Sequence, residues 1–105
     1  MTEIKAVRAN DRAPTSPAEL LSTEVLPALG KSKVEIAKLL RISRQSLYDV
    51  LSGKQDVTPE MAVRLGKLCG NGPELWLNMQ AAHNLWQAKK RVDVRDIPTL
   101  KAAAN

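Results

Sequence analysis

Helix-start signals recur along this chain at short intervals. Each one combines a capping Ser, Thr or Gly with residues suited to a first helical turn, at Ser16-Pro17, Ser32, Ser43, Thr58-Pro59 and Gly72-Pro73. Apolar residues follow each signal at helical spacing. We therefore predict an all-α domain of five helices over residues 15–91, between a flexible leader, 1–14, and a C-terminal tail, 92–105. The length of 105 residues suits one such domain.

The positive charge is concentrated in one stretch. The chain carries a net charge of +5, from 16 Lys and Arg against 11 Asp and Glu. Residues 31–54 hold six basic and two acidic side chains, a net of +4, against −1 for residues 1–30 and +2 for residues 55–105. This concentration favours an anionic partner such as nucleic acid, although a solvated helical face produces the same pattern.

Residues 32–51 predict two short helices joined by a tight turn, the arrangement of a helix-turn-helix. The second helix turns Leu47 and Val50 inward and exposes side chains that suit the reading of base edges in DNA: Ser43, Arg44, Gln45, Ser46 and Tyr48. Neighbouring side chains suit contacts to the DNA backbone: Lys31, Ser32, Lys33, Arg41 and Lys54. The alternative is a pair of capped, solvated helices in an ordinary bundle.

The last predicted helix, from about residue 72 to 90, is apolar around more than half of its circumference. Only Gln80, Asn84 and Gln87 form a polar wedge. Because packing against one small domain needs a narrower apolar stripe, we expect a second subunit to cover part of this helix. The predicted homodimer interface consists of Leu75, Trp76, Met79, Ala82, His83 and Trp86. A central helix surrounded by its own domain is the alternative.

The C-terminal tail carries a weaker pattern. Residues 92–97 alternate apolar and polar side chains as far as Pro98, which predicts a short strand. Because the chain offers no second strand, we expect such a strand to pair with another chain.

The isolated reactive residues do not suggest an active site. His83 is the only His, and its helical neighbours are poor metal ligands, so we expect a packing or interface role. Cys69 lies on the apolar face of the fourth helix and is expected to be a small core residue. We therefore predict that the chain is not an enzyme and uses no metal or cofactor. The single Cys and the absence of a long apolar run favour a cytoplasmic protein.

Several short motifs between residues 14 and 87 occur together in a known family. They include Glu35-Ile-Ala37, Ile42-Ser43-Arg44-Gln45 and Val57-Thr58-Pro59, and the most distinctive is Pro73-Glu-Leu-Trp76-Leu-Asn-Met-Gln80 with Asn84-Leu-Trp86. The chain resembles the HigA-type antitoxins of bacterial toxin–antitoxin modules, a branch of the phage-repressor-like helix-turn-helix proteins. It departs from them at Arg41, where glycine is usual because one residue of the turn needs a positive φ.

The resemblance implies a repressor and an antitoxin in one protein. It implies a homodimer that binds a palindromic operator in double-stranded DNA, represses its own operon and neutralises a cognate toxin, typically a RelE-like mRNA interferase. We expect the toxin to bind the folded surface, with the first helix and the leader as the hypothesis. Two other functions stay open: a stand-alone repressor of the phage or restriction-modification type, and a protein-binding adaptor.

Overall fold

In a computed structural model, the described part of the chain, residues 13–102, contains five helices in the predicted order. Helix α1 covers residues 17–29 in three consecutive pieces, Pro17–Leu20, Leu21–Val25 and Leu26–Leu29. The others are α2 (Lys33–Leu40), α3 (Arg44–Leu51), α4 (Pro59–Cys69) and α5 (Pro73–Arg91). The prediction of an all-α, five-helix domain is confirmed for these residues.

A π-helical turn in the middle of α1 accommodates Pro27. The Leu26 N–H reaches back five residues to the carbonyl of Leu21, rather than four. A proline lacks an N–H, and its ring crowds the carbonyl four residues earlier, so a wider turn ahead of it relieves both conflicts. The Ser16 hydroxyl caps the start of α1 by accepting from the Glu19 N–H at 3.2 Å.

The turn between α2 and α3 is built on Arg41. Its φ of 61° and ψ of 44° are the left-handed conformation that glycine favours. The Arg41 N–H donates to the Lys38 carbonyl at 3.1 Å, and the Ile42 N–H donates to the Ala37 carbonyl at 3.0 Å. This pair of bonds is a Schellman motif. The turn therefore keeps its usual geometry, and Arg41 bears the strain.

One core joins the five helices. Trp76 of α5 is fully buried, and its indole Nε1 donates to the side-chain oxygen of Asn71 at 2.9 Å. Helix α4 packs closely against the start of α5 at Gly66, where an added Cβ would lie 2.5 Å from the Pro73 nitrogen. The other buried apolar side chains are Leu21, Ile36, Ala37, Leu40, Leu47, Val50, Val57, Met61, Ala62 and Leu65. Helix α4 contacts α2 as well as α5, so the helix-turn-helix and α5 share one support.

The strand predicted for residues 92–97 is not formed in the described chain. The Ile97 N–H donates to the Val94 carbonyl at 3.0 Å, and the Asp93 carboxylate accepts from both the backbone and the guanidinium of Arg95. A strand needs a partner for its backbone groups, and residues 13–102 of this single chain contain no other strand. That residues 92–97 pair with another chain stays a prediction. Across that same range, no helix is long and apolar enough to cross a membrane.

Candidate nucleic-acid interface

Helix α3 begins at a cap formed by two of the predicted base-reading residues. The Ser43 hydroxyl accepts from the Ser46 backbone N–H at 3.0 Å and donates to the Ser46 hydroxyl at 2.9 Å. Ser46 is half-buried. These two hydroxyls hold the first turn of α3 in shape, and the remaining backbone N–H groups of that turn suit a phosphate oxygen.

The other three predicted base readers project from α3 into solvent. Arg44, Gln45 and Tyr48 are exposed. The Gln45 side-chain amide donates to Asp49 Oδ1 at 2.9 Å, one helical turn further along. Sequence reasoning missed this contact, although the spacing of four residues on a helix is the signal that reveals such pairs. Asp49 restricts the rotamers of Gln45 and leaves its carbonyl oxygen and one amide hydrogen for a base.

The predicted backbone contacts lie before and after α3 in the chain. Lys31, Ser32, Lys33, Arg41 and Lys54 are all exposed. The Lys33 ammonium lies 5.6 Å from the centroid of the Tyr48 ring, which joins the start of α2 to the exposed face of α3. Lys31 and Lys33 line one pocket together with Tyr48. Arg41 lies three residues before the start of α3, and Lys54 three residues after its end.

A capping box fixes the first turn of α2. The Ser32 hydroxyl accepts from the Glu35 N–H at 3.1 Å, and the Glu35 carboxylate accepts from the Ser32 N–H at 3.1 Å. The backbone hydrogen bond from Ser32, followed by the one from its side chain, lowers the pKa of Glu35 below its ordinary value of 4.5. The Glu35 carboxylate is therefore engaged in the capping box at the N-terminus of α2, beside Lys31 and Lys33.

Two of the residues predicted for the dimer interface face the chain's own domain. Trp76 leaves no surface for a partner, so its assignment to the interface is wrong: the side chain fills the core instead. His83 is half-buried, and its Nδ1 lies 3.2 Å from the carbonyl oxygen of Pro14. Pro14 ends the predicted leader, of which residues 1–12 lie outside the described residues.

The remaining interface candidates share an open face of α5. Leu75 is 42% exposed and Ala82 is exposed, while Met79 and Trp86 are half-buried beside them. Leu85 is 56% exposed on the same side of the helix and was missed. Its spacing of three residues from Ala82 is the signal that places it there. Helix α5 thus has one face in its own core and one apolar face in solvent.

The described residues contain no cluster suited to metal binding, and the lone cysteine among them lies against the core. Within this range, no group of three or more His, Cys, Asp or Glu side chains is placed to hold a metal ion. Cys69 packs against the core, where burial raises the pKa of its thiol. A raised pKa leaves less of the reactive thiolate at neutral pH, as expected for a structural cysteine.

Comparison with known proteins identifies relatives of this helix-turn-helix chain. Residues 25–77 match the Helix-turn-helix family. The HTH-type transcriptional regulator YddM of Escherichia coli K12 is 41% identical over 71 residues, which span 68% of this chain and 76% of that protein. Antitoxin HigA-1 of Vibrio cholerae is 32% identical over 85 residues, which span 81% of this chain and 80% of that protein.

A solved structure shares the fold as well as the sequence pattern. The antitoxin GraA in complex with its operator superposes with a TM-score of 0.79 at 28% identity, covering 87% of this chain and 95% of that one. The chain belongs to the HigA-type antitoxin family of helix-turn-helix proteins.

Proposed function

We propose that this protein is an antitoxin that binds its own operator as a homodimer, represses its operon and neutralises a RelE-like mRNA-interferase toxin. One observation carries the DNA-binding part: α3 exposes Arg44, Gln45 and Tyr48 between exposed cations on either side. The relative GraA, solved in complex with its operator, supports the same use of the fold.

The exposed side chains divide into two kinds of DNA contact. Arg44 suits a bidentate contact to guanine and Gln45 one to adenine, each worth about 1–3 kcal/mol of discrimination between bases. Lys31, Lys33 and Lys54 suit phosphates, which set affinity and its dependence on salt but do not read sequence. Ser43 and Ser46 act mainly by holding the first turn of α3 in shape.

The open face of α5 supports the proposed homodimer. Leu75, Ala82 and Leu85 expose apolar surface in a row, and a second copy of the chain would bury it. Two recognition helices related by a two-fold axis read a palindrome, with half-sites about 10 bp apart or a multiple of that.

Substitutions on α3 and α2 test the proposed DNA contacts. We expect Arg44→Ala and Gln45→Ala to lower the affinity for the chain's own upstream region more than for random duplex. Lys33→Ala should weaken both to a similar degree, because a phosphate contact is independent of sequence. Fluorescence anisotropy with the two duplexes at the same salt concentration measures the ratio. Equal losses on both duplexes for all three variants would contradict the base-reading assignment.

Toxin binding by the folded surface has support in the charge of α1. It is the only one of the five described helices without a Lys or Arg, and its Glu19 and Glu24 are exposed. A protein that cleaves mRNA needs a basic surface for its substrate, so an acidic helix suits it. Glu19→Lys with Glu24→Lys should weaken co-purification with the neighbouring toxin without weakening operator binding. An unchanged affinity for the toxin would exclude α1 as the contact. If the gene beside this one encodes no toxin, the stand-alone repressor is favoured instead.

A further inference from the structure

Part of the most distinctive motif of the sequence lies on the side of α5 that faces away from the open apolar face, and operator reading as described above does not use it. Trp76, Gln80 and Asn84 follow one another at intervals of four residues, so they line one side of the helix. Trp76 fills the core. Gln80 and Asn84, predicted as part of a solvated polar wedge, instead make hydrogen bonds to another part of the chain.

These hydrogen bonds connect α5 to the segment between α3 and α4. The Val57 backbone N–H donates to Gln80 Oε1 at 2.8 Å. The Gln80 amide donates to Asn84 Oδ1 at 3.1 Å, and the Asn84 amide donates to Asp56 Oδ2 at 2.8 Å. Val57 is buried, so the Gln80 contact satisfies a backbone donor that water does not reach. We call Gln80 and Asn84 the α5 amide pair.

The other end of the same segment is held by α3. The Ser52 N–H donates to the Tyr48 carbonyl at 2.9 Å, and the Gln55 N–H donates to the Asp49 carbonyl at 3.0 Å. Lys54 therefore lies between two anchors, one on the recognition helix and one on α5. A lysine with its backbone held on both sides loses less conformational entropy when it contacts a phosphate.

We propose that the α5 amide pair positions the α3–α4 segment so that Lys54 reaches the DNA backbone, a role that rests on the operator binding proposed above. The bond from Asn84 also holds the Asp56 carboxylate, which would otherwise be free to approach a phosphate and repel it. Helix α5 carries the open apolar face on its other side. The same helix thus connects the dimer contact to a DNA contact in each protomer.

Removing the Asn84 amide tests this role. One phosphate contact contributes a slope of about −0.9 to the plot of log affinity against log salt, equivalent to about fivefold in affinity at 0.15 M salt. A dimer contains two copies of Lys54. Asn84→Ala should therefore weaken operator binding by about 5- to 30-fold and reduce the slope by about 1 to 2. Anisotropy titrations between 50 and 300 mM salt measure both quantities, and sedimentation should show an unchanged mass.

A double-mutant comparison separates positioning from a general structural effect. Lys54→Ala should produce the same loss as Asn84→Ala, and the double variant should lose little more, because both changes remove one contact. Gln87→Ala, an exposed amide on the same helix outside this set of hydrogen bonds, should bind like the wild type. Asn84→Asp, which keeps the size but cannot donate to Asp56, should repeat the loss if Asn84→Ala folds poorly.

The outcomes distinguish a failure of the positioning role from a failure of the proposed operator binding. The positioning role is refuted, and operator binding is not, if the losses of affinity in the double variant multiply as independent effects. It is refuted in the same way if Asn84→Ala and Asn84→Asp both bind the operator within about twofold of wild type. A folded wild-type protein with no preference for its upstream region refutes the proposed operator binding, and the positioning role falls with it.

Discussion

Replacing Arg41 by glycine should make the protein more stable and its DNA binding weaker at the same time. At φ 61° and ψ 44°, a residue with a Cβ is strained by about 1–2 kcal/mol, which glycine avoids. Glycine loses about 0.5–1 kcal/mol more backbone entropy on folding, so the net gain is about 0–1.5 kcal/mol, with a central value of about 0.75 kcal/mol. For a domain of this size the central value corresponds to a rise in Tm of about 3–6 °C.

The turn keeps its other supports in this variant. The Schellman hydrogen bonds involve only backbone groups. Arg64 of α4 still donates from Nη1 to the Leu40 carbonyl at 2.8 Å, so the C-terminus of α2 stays capped. What the variant loses is the guanidinium that we place at the DNA backbone. Each lost phosphate contact should weaken operator binding by about fivefold at 0.15 M salt.

Thermal unfolding followed by circular dichroism, together with operator titration, measures the two effects on the same protein samples. Arg41→Ala is the matched control, because it removes the charge but keeps the strained backbone. It should match Arg41→Gly in DNA affinity and have a lower Tm. If the two variants unfold at the same temperature, the reasoning about left-handed strain is wrong. If both bind the operator like the wild type, Arg41 does not contact the DNA.

Three further outcomes follow from the same structure. Leu85→Glu, with a charge on the open face of α5, should convert a dimer to a monomer by sedimentation, whereas Val63→Glu, equally exposed on α4, should not. Gly66→Ala should destabilise the fold by about 1–3 kcal/mol in urea unfolding because its Cβ would press on backbone atoms at the start of α5, and an unchanged midpoint would contradict that close approach. Because the pKa of Glu35 is lowered in the folded protein, its contribution to the stability of the fold should be fully present above pH 4.5. That contribution should be lost as the pH falls through the pKa of the folded state. The difference in Tm between wild type and Glu35→Ala should therefore shrink from pH 7 to pH 3, and a constant difference would refute the capping-box account.

Features set by neighbouring residues were predictable from the sequence. The helices α1 to α5 begin at the predicted caps, and the capping box between Ser32 and Glu35 forms as expected. The strain at Arg41 was also visible, because a tight turn between two helices needs one residue with a positive φ whatever the rest of the chain does. All of these depend on contacts within about five residues, which local sequence specifies.

Features that depend on distant residues were not predictable in the same way. The apolar pattern of α5 could not show which side faces the domain, so Trp76 was placed in an interface although it fills the core. Gln80 and Asn84 resembled a solvated wedge because their partners, Val57 and Asp56, lie more than twenty residues earlier in the chain. The alternation in residues 92–97 is a strand pattern only when a second strand is available to accept its backbone bonds.

The sequence alone therefore determined the number of helices, their starts and ends, and the residue types on the exposed turn of α3. The tertiary structure decided which side of α5 is buried, and hence that α5 supports the α3–α4 segment from one face and leaves Leu75 and Leu85 open on the other. The reason is physical: caps and turns are satisfied by neighbouring residues, whereas the choice of a buried face depends on all the elements that pack against it at once.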